Sequence, residues 1–238
     1  MFNDPVLISS LRLRALPLLP VVLLTGCGVA GTQFHPGVAA QVGDKTITSR
    51  HVDQVTDDYC KAVEKVSEGQ DQTADAQTPL RYLTHEFATD LIQRAAAEQL
   101  AAEYDVKPTS AYASGLAQLE PQLTDLSDDQ KDAVREIVGA RSYSQDVLTQ
   151  VGEASLEEQG TTDASTDDQY AEGQKVLKAW VADHDVEINP KYALDFGTAD
   201  QVDTDLSYAL GQTAKDGALP KPDAEYTSSL PDNFVCLD

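Results

Sequence analysis

Val186-Glu187-Ile188-Asn189-Pro190-Lys191-Tyr192-Ala193-Leu194-Asp195-Phe196 is where the period of the sequence changes. Before it, apolar residues recur every three or four positions. Within it, Val186, Ile188, Tyr192, Leu194 and Phe196 alternate onto one side. A period of two predicts a strand. Pro190 confines that strand to an edge or a break, because proline lacks the N–H that a central ladder needs. The other β-like stretch lies near the opposite end, at Ala39–Thr48 (AAQVGDKTIT). There Val42 and Ile47 are β-formers, and Gly43-Asp44 is a turn between them, so a short hairpin is expected. Two strand segments this far apart can satisfy their backbone groups only on each other or on a second molecule. Pairing within the chain is expected. No βαβ alternation and no repeat appears. The expected fold is therefore mainly α, with a small β element formed by the first and last segments.

Between these ends the helical period gives five helices. Ser49 caps the first, with Val52, Val55, Tyr59, Val63 and Val66 on one stripe. Ser67–Thr78 has no apolar period and reads as a loop. Pro79 opens the longest helix, to about Tyr104, as proline does at a first helical position. Its inward residues are Leu80, Leu83, Phe87, Leu91 and Leu100, with Ala88 and Ala95 allowing close approach. A third helix, near Thr109–Leu123, carries Tyr112, Leu116 and Leu119. Ser127 and Asp128 cap a fourth, near Asp129–Val151, carrying Val134, Ile137, Val138, Val147 and Leu148. The fifth, near Asp167–Asp183, buries Tyr170, Leu177, Trp180 and Val181.

The first 26 residues read as a signal peptide. Arg12 and Arg14 precede a short apolar run, Ala15–Leu24, that ends in Leu24-Thr25-Gly26-Cys27. The run is shorter than the ~20 residues a spanning helix needs. The four-residue ending matches the bacterial lipobox, which makes Cys27 the lipidated residue, rather than a chance cysteine in an ordinary secretory peptide. Two acyl chains on one cysteine anchor stably where one is marginal. Gly28–Gly37 (GVAGTQFHPG) is small and polar, so residues 27–37 form a tether. Residues 38–196 form the helical domain and residues 197–238 an irregular tail. The net charge of -23 excludes nucleic acid as a partner, because phosphate binding needs a basic stripe. It also argues against lying on anionic headgroups, and reads most simply as solubility outside the cell.

With Cys27 taken by lipid, Cys60 and Cys236 remain, and an even pair in an exported protein suggests a disulfide. A catalytic thiol is the other reading, but no base stands near either cysteine in sequence. Oxidation outside the cell would silence it.

The opening Ala39–Thr48 segment and the helix with Val52 and Val55 resemble the start of the SurA/PrsA foldase-chaperones. Val186–Tyr192 resembles the β-like stretch with Asn-Pro-Arg-Tyr that closes the chaperone domain of that family, with Lys191 in place of arginine. The resemblance spans about residues 38–196. It extends to actinobacterial lipoproteins with a SurA-like N-terminal domain, including a cysteine late in the first helix and one near the carboxyl end. It implies that the two ends come together, with helices between them offering a surface to unfolded or secreted polypeptides. The chain departs from the family in having no parvulin domain. The tail after Phe196 is too short for one and holds none of its active-site histidines. The resemblance therefore implies a chaperone-like protein without isomerase activity. A domain retained as an interaction module for one envelope partner is the rival reading, and the chain's single methionine favours it. A small-molecule binding lipoprotein would need two α/β lobes, which this pattern lacks.

No catalytic constellation, metal site or cofactor is expected. His35 lies in the tether, and His51, His85 and His184 on helices. His184 stands between Asp183 and Asp185, an arrangement that suits a helix carboxyl end better than a metal. Asp57-Asp58, Asp128-Asp129 and Asp167-Asp168 are paired carboxylates, two of them at helix starts where the dipole favours acids. Asp163–Asp167 lacks the glycine and glutamate of an EF-hand loop. Trp180 reads as a core anchor.

Overall fold

The computed structural model describes residues 36–68, 77–192, 211–217 and 223–237. The expected strands at the two ends do meet. β1 (Val38–Val42) is central in a three-stranded antiparallel sheet, flanked by β2 (Lys45–Thr48) and, from the other end of the helical region, β4 (Val186–Ile188). The β1–β2 connection is the two-residue turn Gly43-Asp44, since Val42 pairs with Lys45. Gly43 takes a φ of +57°, and a Cβ there would stand 2.7 Å from the Gln99 side chain. The same Gln99 donates its amide to Val42 O at 2.7 Å, pinning the turn to the central helix. A bulge at Ala39 lets both Ala39 and Ala40 bury.

The strand at Val186 is shorter than the alternation predicts. It ends at Ile188, because Asn189 and Pro190 turn the chain into a 3₁₀ turn, Pro190–Tyr192. Asn189 closes the seam. Its N–H donates to Ala39 O at 2.8 Å and its side-chain amide to Val38 O at 2.9 Å. The side-chain oxygen accepts Lys191 N at 2.9 Å. Tyr192 follows into the core at 1% exposure. Leu194 and Phe196 lie outside the described residues.

Five long helices follow the expected order. α1 (Ser49–Ser67) is capped by Thr48, one residue before the expected Ser49. Its stripe holds for Val52 and Val55, then rotates to Cys60 and Ala62, leaving Val66 56% exposed. α2 (Leu80–Glu103) starts one residue after Pro79, which serves as its N-cap. It buries Leu83, Phe87, Ala88, Leu91, Ile92, Ala95, Ala96, Ala97, Leu100 and Ala101. That set lies on more than one face and makes α2 the central helix. α3 (Ser110–Leu119) runs into a 3₁₀ turn, Glu120–Leu123. α4 (Asp128–Glu158) is longer than predicted and opens on a capping box between Ser127 and Gln130. α5 (Thr166–Asp183) is capped by Ser165.

α4 and α5 form an antiparallel pair whose closest approach is set by two glycines. A Cβ on Gly152 would lie 2.6 Å from Gly173 N and still nearer Gln169 O. One on Gly173 would lie 2.6 Å from the Leu148 carbonyl carbon. The expected valines of α4, Val134 and Val138, are only half-buried, while Ala133, Gly139, Ala140 and Gly152 are buried in their place. Small residues therefore carry this interface, which the apolar period alone does not register.

The tail is not wholly irregular. It contains α6 (Gln212–Gly217), α7 (Ala224–Ser228), a 3₁₀ turn (Asp232–Phe234) and β5 (Val235–Leu237). β5 pairs antiparallel with a strand the sequence reading missed, β3 (Gln77–Pro79), within the segment expected to be a loop. Three-residue strands leave too short a pattern for period two to register.

Candidate functional site

The cysteine expectation is met for the pair. Cys60, late in α1, is bonded to Cys236 in β5, with 5.4 Å between their Cα atoms. Both are buried in the main core. Cys27 and His35 lie outside the described residues.

The histidines are dispersed. His51 on α1 meets Glu136 of α4 at 2.7 Å, on the surface. Burial lowers the His85 pKa from its ordinary value, and a hydrogen bond with the Tyr192 backbone opposes that shift. His184 stacks on Trp180, the ring centroids 4.1 Å apart and the planes 16° from parallel. Its Nδ1 lies 2.7 Å from Trp180 O, and the Trp180 indole N–H donates to Glu103 at 2.8 Å. This is a helix-end arrangement, with Trp180 buried as an anchor between α5 and α2. The carboxylate pairs are likewise structural. Asp57 and Asp58 both face Lys61. Asp128-Asp129 and Asp167-Asp168 lie in the first turns of α4 and α5. No group of three or more potential metal ligands gathers among the described residues, and none of their helices is long and apolar enough to cross a membrane.

Charge is instead used to fix helices. Asp90, at 9% exposure on α2, accepts from Arg141 of α4 at 2.7 Å. Burial raises the Asp90 pKa, and the Arg141 guanidinium partly opposes the rise. Glu98 is pushed up by burial but more strongly down by hydrogen bonds from Lys45 and Arg94, at 2.6 and 2.8 Å.

One surface stands apart. Thr109–Leu119 holds no charged residue in a chain of net charge -23. It folds as α3, and none of that helix's residues is fully buried. Its apolar residues Tyr112, Leu116 and Leu119 are only half-buried against α4, while Ala111, Ala113, Gly115 and Ala117 are exposed. The underside is well fixed. Thr109 caps α3 while its N–H and hydroxyl both donate to Asp146 of α4, at 2.8 and 2.6 Å. Tyr112 packs edge-on against Tyr143 at 5.7 Å, under Arg94. At the far end Arg135 donates twice to Glu120, at 2.8 and 2.7 Å. Beneath lies a small separate core of Ala62, Leu123 and Leu126, with Leu119 and Val134 against it. The result is a well-fastened helix whose outward face is uncharged and, apart from Gln118, made of small side chains. The gap in charge between Lys107 and Glu120 is legible in the sequence; its exposure is not.

No protein-family model matches the chain, no curated protein matches it, and no solved structure matches its fold.

Proposed function

We propose that the protein is a membrane-anchored, extracytoplasmic, chaperone-like protein that binds unfolded or secreted polypeptides and does not isomerise prolyl bonds. The observation that carries this reading is α3: a mounted, exposed, uncharged helix on an otherwise strongly acidic protein. Acidic surface keeps the protein soluble and repels other acidic surfaces, so an apolar segment of a non-native chain meets least resistance at α3. The resemblance to the SurA/PrsA chaperone domain supports the same reading. Its Asn189-Pro190-Lys191-Tyr192 stretch is the one that fastens the carboxyl end of the helical region onto β1. The lipobox at Cys27 supplies the anchor and the location. The Gly28–Gly37 tether would let an acidic body stand off the lipid surface.

A second reading, a module for one envelope partner, is favoured by the scarcity of large exposed apolar side chains. Among the described residues these are Val66, Tyr104 and Phe234. A promiscuous binder ordinarily offers more.

Lipid-free protein (Cys27→Ser) added to several unrelated, chemically unfolded proteins separates the two. Suppression of aggregation at near-equal ratios for all of them is the result expected of a general chaperone. No suppression for any sinks that reading and leaves the single-partner module.

A further inference from the structure

Besides its covalent bond, β5 is held by a short ladder and by the burial of two side chains. Its ladder to β3 has three residue pairs, Gln77 with Leu237, Thr78 with Cys236 and Pro79 with Val235. β3 has no other strand partner among the described residues. Two-stranded ladders of this size are marginal alone. The bond from Cys236 to Cys60 spans 176 residues of chain, and in the chain-entropy picture a closure that long strongly restricts the unfolded chain. Yet the seat β5 occupies is well made. Val235 and Cys236 are buried, α7 packs on β3, and β5 lies against α1.

We propose that the β3 edge and the adjoining α1 face around Cys60 form a strand-docking seat for an extended apolar segment of another polypeptide, with β5 as its built-in occupant. This deepens the chaperone reading and rests on it for the nature of the partner. An exposed strand edge takes up extended chains through main-chain hydrogen bonds, while the pockets beneath select side chains. Here the seat buries two consecutive uncharged residues, Val235 and Cys236. Phe234, just before them, is 55% exposed and lies largely outside the seat.

The seat opens when a dithiol reductant exchanges with the bond. Its thiolate attacks one sulfur, forming a mixed disulfide and releasing the other cysteine as thiolate. Its second thiol then displaces the remaining cysteine. Two electrons and two protons pass, leaving Cys60 and Cys236 as thiols and the reductant as a disulfide. Because both sulfurs belong to buried residues, exchange waits on fraying of β5, so the lock resists casual reduction.

The probe is a fluorescent peptide with the sequence of residues 231–237 carrying Cys236→Ser. It is titrated into full-length chain with Cys27→Ser, oxidised, and into the same chain with Cys60→Ser and Cys236→Ser added. The account expects at least about tenfold tighter binding to the second. It also expects loss of binding when the peptide carries Val235→Asp, and faster proteolysis of the tail in the unlocked chain. Wild-type chain reduced after folding, with helicity checked by circular dichroism, repeats the test without substitutions. Equal binding to locked and unlocked chains, no binding to a folded unlocked chain, or a tail that stays protected would each overturn the proposal. Aggregation suppression by the oxidised protein is scored separately. Its loss counts against the chaperone reading, and peptide binding counts for or against the seat alone.

Discussion

Gly152 and Gly173 show how much of this fold rests on single positions. Each sits where a Cβ would enter backbone of the facing helix, so neither can be relieved by a rotamer change. Gly152→Ala or Gly173→Ala should cost about 3 kcal/mol and lower the melting temperature by several degrees in thermal unfolding. Gly115 is the control. A Cβ there meets nothing within 4 Å, so Gly115→Ala should stabilise α3 by about 0.5–1 kcal/mol. His85 makes a second prediction at this scale. Its folded pKa lies below its unfolded one, because burial disfavours the charged ring. Its contribution to stability is therefore complete above the unfolded value of about 6.5 and is lost as pH falls through the lowered folded value. Denaturation at about pH 7.5 and about pH 5 should show a larger loss for wild type than for His85→Gln. An equal loss would mean that His85 plays no part. Neither the glycine contact nor the histidine burial is legible in the sequence. Glycine inside an apolar period looks like a weak point until the partner backbone is placed, and burial of a polar ring depends on the chain returning at Tyr192.

At the scale of elements, the seam between β1 and β4 carries the closure of the fold, and Asn189 is its fastening. Asn189→Ala removes the amide bond to Val38 O and the bond that holds Lys191 N. Two hydrogen bonds of this kind are worth about 1–3 kcal/mol together, and chemical denaturation measures the loss. An unchanged midpoint would show the seam to be held by burial alone. The elements were largely readable. The hairpin, the five helices and the strand at Val186 all arise from local periods long enough to register, and the pairing of the two ends follows from having nowhere else to bond. What escaped is of two kinds. β3 and β5 are too short to show a period. The stripe of α1 drifts because its second half packs against Leu123 and Leu126 and against β5, through Ala62 and Cys60, rather than against the sheet.

At the scale of the whole molecule, the disulfide ties the carboxyl end to the first helix, and α3 presents an uncharged face on a chain of net charge -23. The Leu24-Thr25-Gly26-Cys27 motif and the neutrality of α3 are both visible in the sequence. The exposure of α3 is not, because Tyr112, Leu116 and Leu119 have the spacing of a buried stripe and are only half covered by α4. The claim that this face receives non-native chains is tested most directly by adding charge where no packing is disturbed. Ala113→Glu with Ala117→Glu places two carboxylates one turn apart on the exposed side of α3. The measurement is light scattering from an unrelated unfolded protein diluted into lipid-free wild type or into this variant. The account predicts suppression by wild type, an about tenfold higher requirement for the variant, and little change in melting temperature. Equal suppression by both, or none by wild type, would contradict it.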